Sequence, residues 1–133
     1  MLKINTKEII EYWEKTAKHS YDTMNGLFKL KRYSDSLFFG HLVLEKILKA
    51  HVIKKTKKQV PHTHDLTKLI ELAQLKINYE EKDVIDTANH FNIRCRYPDI
   101  KLNFYKQYNN FKIAKNKLEK IKKLYKKLCQ QLK

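Results

Sequence analysis

Hydrophobic side chains recur every three or four residues along most of the chain, which is the spacing of one face of an α-helix. The first such run covers residues 6–30 and consists of Ile9, Trp13, Ala17, Tyr21, Met24 and Phe28. A second run begins near Ser34 or Asp35, two residue types that cap helices well. Its stripe consists of Leu37, His41, Leu44, Leu48 and Val52. Each run predicts a long helix.

Shorter patterns follow in the middle of the chain. Residues 54–63, which end in QVPHT, are predicted to form a loop. A third helix is expected over about 65–75 and a fourth from 79 to 91 or a few residues beyond. Pro98 disfavours helical geometry at Tyr97, so the fourth helix is expected to end there or earlier.

The last helix is predicted from about Asn103 to the C-terminus and has the most regular pattern. Its apolar positions, at alternating spacings of three and four, form a heptad seam: Phe111, Ala114, Leu118, Ile121, Tyr125, Leu128 and Leu132. The other faces carry lysine, with nine lysines and Glu119 as the sole acid between 111 and 133. This lysine surface is either a solvated face or a stripe that binds phosphate or a partner.

These patterns predict the fold class. The chain has two glycines and two prolines, so breaks are few, and no strand-like alternation or repeat competes with the helical spacing. We predict a single all-α domain over 1–133, an antiparallel up-and-down bundle of four to five helices. Gly40 lies inside the second helix, where it predicts close contact with another helix.

Composition excludes several classes of protein. No apolar run approaches the eighteen or so residues that cross a bilayer, and charges are scattered through the first residues, so we expect a cytoplasmic protein without membrane contact. Two cysteines without CxxC spacing argue against a disulfide framework or zinc knuckle, and no cofactor is implied. His62 and His64, followed by Asp65, resemble part of a metal site, but a turn and helix cap explain them without a metal.

The formal net charge of +15 is a weak indication of nucleic-acid binding. The positive residues are almost all lysines, in a chain rich in Asn, Ile and Tyr, as AT-rich coding sequences tend to produce. Arginine is the better fork for phosphate and guanine, yet the chain has only Arg32, Arg94 and Arg96. Two of these three arginines fall in one short segment, FNIRCRYPDIK.

Three separated segments resemble HEPN-domain proteins, the higher eukaryotes and prokaryotes nucleotide-binding family. They are RYSDSLFFGHLVLEKILKA (32–50), HTHDLTKLIELA (62–73) and FNIRCRYPDIKLNFYK (91–106), with EKILKA and RYPD the most specific pieces. The RYPD piece is similar to a bacterial branch of the family. The resemblance implies an up-and-down helical bundle, a homodimer, and a minimal nucleotidyltransferase as partner in a toxin and antitoxin pair.

The ribonuclease pattern of that family is absent from this sequence. It consists of an Arg followed four to six residues later by a His, and neither Arg94 nor Arg96 is followed by one at that distance. Metal-independent RNA cleavage needs a group that exchanges protons near neutral pH, which histidine supplies and arginine does not. We therefore expect a nucleotide-binding and interaction module. The alternative is a toxin ribonuclease in which His90, four residues before Arg94, serves as an irregular base.

The RYPD segment has two interpretations. In the structural one, Arg96 pairs with Asp99 or Glu45 and fixes the turn between helices four and five. In the functional one, Arg94, Arg96, Tyr97 and Asp99 line a groove for a nucleotide or an RNA phosphate, with Tyr97 stacking on a base. Tyr97 and Tyr105 are also the candidates for modification by the partner enzyme.

Polar residues elsewhere have structural interpretations first. Glu45 is expected either to form a surface pair with Lys49, one turn on, or to face the bundle interior and hold Arg96. His41, on the apolar stripe, is expected in the core, and His64 at the opening of the third helix. A third functional hypothesis is that the lysine-rich bundle binds nucleic acid without sequence preference.

Overall fold

A computed structural model of the chain describes residues 5–94 and 98–133, and their side chains outside 92–94, 98–101 and 104. These residues form six helices and no strand. The helices are α1 (Thr6–Lys29), α2 (Tyr33–Thr56), α3 (Leu66–Ala73), α4 (Tyr79–Arg94), α5 (Pro98–Tyr108) and α6 (Phe111–Gln131). The predicted all-α bundle is confirmed, with one helix more than the four to five expected.

The first two helices form a long hairpin. The side chain of Asn5 caps α1 by accepting a hydrogen bond from the Glu8 amide at 3.2 Å. The prediction that Ser34 or Asp35 caps α2 is wrong. The cap position is Arg32, two to three residues earlier, where the carbonyl accepts from the Ser36 amide. Asp35 lies in the first turn, a favourable place for a carboxylate.

Helix α2 is the centre of the bundle and contacts every other helix. Its second half is buried almost all round, because α1, α3, α4 and α6 pack against different faces. The predicted stripe therefore included only part of the core. Leu37, Leu44 and Leu48 are fully buried as expected, and Val43 and Ile47, which lie outside the predicted stripe, are fully buried as well.

Gly40 lies where α2 packs tightly against α6. A Cβ atom built on this glycine would lie 2.8 Å from Cδ1 of Ile121 and 3.5 Å from the sulfur of Met24. The predicted close contact at Gly40 is thus confirmed, and α6 is the helix that makes it.

Local capping explains where α3 and α4 begin. Asp65 accepts hydrogen bonds from the amides of Thr67 and Lys68, which confirms the cap at the HTHD segment. Asn78 and Glu81 form a reciprocal capping box, in which each side chain accepts a hydrogen bond from the other's amide. Helix α4 then continues to Arg94, within the limit set by Pro98.

The segment predicted as one last helix is divided in two. Helix α5 ends at Tyr108, and Asn110 caps a new helix by accepting from the Ile113 amide at 3.2 Å. The heptad seam of α6 closes within the chain, as the stacked rings of Tyr21 and Tyr125 show, with centroids 4.8 Å apart. Phe111, the first seam position, remains half exposed.

None of the helices within residues 5–94 and 98–133 is both long and apolar enough to span a lipid bilayer.

Candidate functional site

The most unusual group in the core is the carboxylate of Glu45, in the middle of α2. Glu45 is 5% exposed and accepts three hydrogen bonds from cationic or potentially cationic side chains. Oε1 accepts from Nε2 of His41 at 3.2 Å and from Nδ1 of His64 at 2.8 Å, and Oε2 accepts from Nζ of Lys49 at 3.0 Å. We call Glu45, His41, Lys49 and His64 the Glu45 cluster.

His41 is fully buried, as predicted, and links the Glu45 cluster to α4. Its Nδ1 lies 3.0 Å from the carbonyl oxygen of Ala88, and its Nε2 faces Glu45. Both neighbours are hydrogen-bond acceptors, so His41 joins the carboxylate on α2 to the backbone of α4 through its two ring nitrogens.

Lys49 is enclosed between a negative charge and an aromatic ring. Its ammonium group donates to Glu45 and lies 5.1 Å from the ring centroid of Trp13 on α1. The side chain is only 11% exposed. The predicted pairing of Glu45 with Lys49 is confirmed, but the prediction that it lies on the surface is wrong. In the interior, removing either partner leaves the other charge without compensation.

The pKa of Glu45 reflects this environment. Burial by itself raises the pKa of a carboxyl group, but the hydrogen bonds from His41, His64 and Lys49 outweigh it and lower the pKa of Glu45 to about 2. The carboxylate is therefore ionised throughout the physiological range. It compensates the positive charge of Lys49, whose ammonium group donates a hydrogen bond to it.

His64 is the member of the Glu45 cluster that reaches the surface. Its side chain is 53% exposed, while its Nδ1 is held by Glu45. Asn89 on α4 binds the start of α3, which follows His64. Its Oδ1 accepts from the Leu66 amide at 2.8 Å, and its Nδ2 donates to Thr67 and Asp65. The described residues contain no group of three potential ligands placed to hold a metal ion.

The RYPD residues fall mostly outside the described part of the chain. Arg96 and Tyr97 lie in the gap between α4 and α5, so the predicted pairing of Arg96 with Glu45 or Asp99 also lies outside the described residues. Arg94 is the last residue of α4, and Asp99 belongs to the first turn of α5. The structure thus brings Glu45, Lys49 and His64 together, and leaves the grouping of the RYPD side chains a prediction.

Two other candidates have exposed side chains. His90 is exposed on α4 and lies one turn before Arg94 on the same helix. Tyr105 is 51% exposed on α5. Within the described residues, neither side chain contacts the Glu45 cluster.

An open groove of about 500 Å³ lies between the start of α4 and the second half of α6. One wall carries Glu80, Glu81 and Asp83, and the other carries Lys120, Lys123 and Lys127. One ion pair spans the groove, in which Nζ of Lys127 lies 2.7 Å from Oε2 of Glu81. Because the two walls have opposite charges, this groove lacks the uniformly positive potential that a phosphate site needs.

The lysine surface of α6 is largely exposed to solvent. Lys112, Lys115, Lys120, Lys123 and Lys126 are exposed, and within the described residues only Lys127 of this helix forms an ion pair. In the described residues, the lysine surface of α6 is therefore a solvated face. It also gives this side of the bundle a positive field without organised phosphate-binding geometry.

Comparison with known families agrees with this helical architecture. The HEPN-domain family matches residues 10–132, nearly the whole chain. The chain belongs to the HEPN family. No curated protein and no solved structure gives a significant match.

The sequence did not reveal that His41, Lys49 and His64 all contact Glu45 in this HEPN protein. His41, Glu45 and Lys49 follow one another at four-residue spacing, so their common face on α2 was detectable. The contribution of His64 was not, because it comes from a loop nineteen positions after Glu45 in the sequence. The role of Asn89 could not be predicted from the sequence either, since an amide on an amphipathic helix has many possible partners.

The Glu45 cluster predicts a specific loss of stability in acid. A carboxyl group whose pKa is lowered on folding stabilises the protein above its unfolded pKa, and this stabilisation disappears as pH falls from the ordinary value of 4.5 through about 2. The shift corresponds to about 3 kcal/mol. Denaturant unfolding of wild type and Glu45→Gln at a series of pH values should show a steeper decline for wild type in this window. Equal slopes would contradict the assignment.

Proposed function

We propose that this HEPN protein is a non-catalytic binding and interaction module that holds a nucleotide or RNA phosphate near the end of α4. The observation that carries the proposal is the Glu45 cluster, a buried group of charged and polar side chains that His41 joins to Ala88, six residues before Arg94. The interior charges fix this part of α4 on α2, as a positioned binding segment requires.

The residues proposed to hold the phosphate are Arg94 and Arg96, with Asp99 orienting them and Tyr97 stacking on a base. Arginine suits this purpose because its planar fork donates two parallel hydrogen bonds to phosphate oxygens. The absence of a histidine four to six residues after either arginine supports binding over ribonuclease catalysis. We assign the protein to the RYPD-containing bacterial branch on the same segment.

A binding experiment tests this proposal. Fluorescence anisotropy with a labelled single-stranded RNA oligonucleotide should show that Arg96→Ala or Arg94→Ala weakens affinity about 10- to 100-fold, the value of one or two charge-assisted hydrogen bonds. Lys126→Ala removes the same charge from the solvated face of α6 and is the matched control. Its effect should be small.

Salt dependence separates the proposal from nonspecific attraction to the lysine surface. A bundle that attracts RNA only through its net charge loses affinity steeply with salt and responds alike to Lys126→Ala and Arg96→Ala. That result would replace the proposed site with a diffuse electrostatic surface. Selectivity among nucleotides, with a shallow salt slope, is the result expected of a pocket.

A ribonuclease is the second candidate function, and one observation favours it. Because α4 continues to Arg94, His90 and Arg94 lie one turn apart on the same helix, and His90 is exposed. Metal-free RNA cleavage that is lost in His90→Ala and in Arg94→Ala or Arg96→Ala would establish this activity and overturn the non-catalytic proposal.

The assembly proposed for the protein is a cytoplasmic homodimer paired with a minimal nucleotidyltransferase in a toxin and antitoxin module. Light scattering should give twice the 16.1 kDa of one chain, and a monomeric mass would contradict the dimer. Tyr97 and Tyr105 are the proposed positions of modification by that partner. The exposure of Tyr105 supports its accessibility, and intact mass measurement of the Tyr→Phe variants after incubation with the enzyme tests both positions.

A further inference from the structure

We propose that single-stranded RNA binds a second surface of this HEPN protein, formed by the turn between α1 and α2 and by the start of α6. We call this surface the Phe111 patch, and its members are Leu30, Lys31, Arg32, Phe111, Lys112 and Lys115. All six side chains are exposed. The inference rests on the proposed RNA-binding function and extends it from phosphate contacts to base stacking.

The ring of Phe111 is open to solvent, yet its neighbours hold it in place. Phe111 is 50% exposed. Its ring stacks on that of Phe28 with centroids 5.6 Å apart, and the ring of Tyr33 packs against it at 69°. Nζ of Lys115 lies 5.7 Å from the centroid of Phe111. A supported aromatic ring with a cation beside it can stack an unpaired base while the cation contacts the phosphate.

The turn between α1 and α2 lies directly beside this ring. Phe28 and Tyr33 flank the turn, and both contact Phe111. The turn has a Schellman arrangement, in which the amides of Lys31 and Arg32 donate to carbonyls in the last turn of α1. Lys31 has a φ of 63°, a left-handed conformation that glycine adopts at lower cost. The exposed side chains of this turn are therefore held next to Phe111 by backbone hydrogen bonds.

The charges around Phe111 are almost all positive. In residues 29–35 and 109–115, Asp35 is the only acidic residue, and the basic residues are Lys29, Lys31, Arg32, Lys112 and Lys115. None of these five cations forms an ion pair with another described residue. A single strand carries regularly spaced phosphates beside unpaired bases, so it complements both the cations and the ring. In a duplex the bases are paired and stacked, and they cannot stack on Phe111.

The Phe111 patch lies near the C-terminal end of α4. Helices α4 and α6 run in opposite directions, because Glu81 at the start of α4 pairs with Lys127 late in α6, whereas Phe91 near the end of α4 packs its ring on Tyr108 at 5.3 Å. Phe111 follows Tyr108 by three residues, which span at most about 11 Å. An RNA strand held at the end of α4, as proposed above, can therefore extend over the Phe111 patch.

Two substitutions remove the binding features of the patch and leave the fold intact. Phe111→Leu keeps an apolar side chain against Phe28 but removes the ring on which a base would stack. Lys31→Gly removes one cation and places glycine at a positive φ, so the melting temperature should not fall. A loss of affinity in Lys31→Gly could then not be attributed to unfolding.

Lys57→Gly is the matched control for Lys31→Gly. Lys57 is also exposed and has a φ of 57° at the C-terminal end of α2, so this change removes the same charge and relieves the same backbone conformation. Helix α2 has 24 residues and is therefore about 36 Å long. Its length separates Lys57 from the Phe111 patch at the other end.

The experiment is anisotropy titration of the full chain with a labelled single-stranded RNA oligonucleotide and with its duplex, accompanied by thermal unfolding of each variant. We expect Phe111→Leu to weaken affinity for the single strand about 5- to 20-fold. Lys31→Gly should weaken it about 2- to 5-fold, and Lys57→Gly should bind like wild type. Binding of the duplex should be equal for wild type and Phe111→Leu.

The possible results distinguish this inference from the proposed function. If Arg96→Ala weakens RNA binding while Phe111→Leu and Lys31→Gly do not, only the Phe111 patch is wrong. If Phe111→Ala weakens binding but Phe111→Leu does not, the contact is apolar and the assignment of base stacking is overturned. Weakening in the patch variants but not in Arg96→Ala would support the Phe111 patch and contradict the phosphate site. If wild type binds neither RNA nor nucleotide, both proposals fail.

Discussion

Replacing Glu45 by alanine is expected to lower the free energy of unfolding by about 3–5 kcal/mol, the usual cost of removing one partner of a buried ion pair. The substitution leaves Lys49 in the core without its counterion and His41 without its hydrogen-bond acceptor, at 8% and 0% exposure. For a chain of this length, the melting temperature should fall by roughly 10–20 °C. Denaturant and thermal unfolding measure both quantities.

A surface ion pair provides the control for Glu45→Ala. Lys18 and Asp22 on α1 are closer together, at 2.6 Å, but each side chain is 62% exposed. Solvent screens this pair, so Asp22→Ala should cost no more than about 1 kcal/mol. If both alanine variants lost equal stability, burial would not be the source of the effect, and the account of the Glu45 cluster would be wrong.

The cost at Glu45 also bears on function. Replacing a buried ion pair by apolar residues of similar volume is often neutral for stability, so a carboxylate in the core is not required for folding as such. In this HEPN protein the carboxylate fixes Lys49, His41 and His64 in one arrangement. This arrangement of side chains from α2 and from the loop before α3 is what the carboxylate contributes to the site.

The second large effect is expected at Gly40. Gly40→Leu should destabilise the protein by about 3 kcal/mol, because its side chain must occupy the space of Ile121. Gly26→Ala in α1 is the matched control, since a Cβ there meets nothing within 4 Å. It should stabilise the helix by up to about 1 kcal/mol. Unfolding measurements on the two variants should give shifts of opposite sign.

A double variant locates the cause of the Gly40 effect. Ile121→Ala removes the atom that would lie 2.8 Å from a Cβ at position 40, and it creates space against α2. Gly40→Leu combined with Ile121→Ala should therefore lose less stability than the sum of the two single changes. Additive losses would mean that Gly40→Leu acts elsewhere, and the close approach of α2 and α6 would not explain its cost.

The HEPN fold could largely be predicted from its apolar spacing. The first helix was expected over 6–30 and occupies α1, and the seam of α6 packs as the heptad pattern indicated. The prediction failed where local chemistry competes with periodicity. Asn110 stops the helical run and caps a new helix, which a pattern of spacings does not register.

The candidate site could be predicted only in part. The sequence identified His41, Glu45, Lys49 and His64, because histidines and charges within apolar or motif segments are conspicuous. It did not establish that His64 donates to Glu45, nor that Asn89 fastens the start of α3 to α4. These contacts join residues from different helices and loops, and no local rule relates them.

The sequence by itself determined the helical class, the heptad seam of α6 and the absence of a histidine after Arg94 and Arg96, because each depends only on residue type and spacing along the chain. Only the tertiary structure decided that Glu45 is buried, that Lys49 lies against Trp13, and which ring nitrogen of His64 is held. Burial and hydrogen-bond geometry depend on atoms brought together from distant positions. For this reason the sequence reveals the charge pattern but not the orientation of the His64 ring.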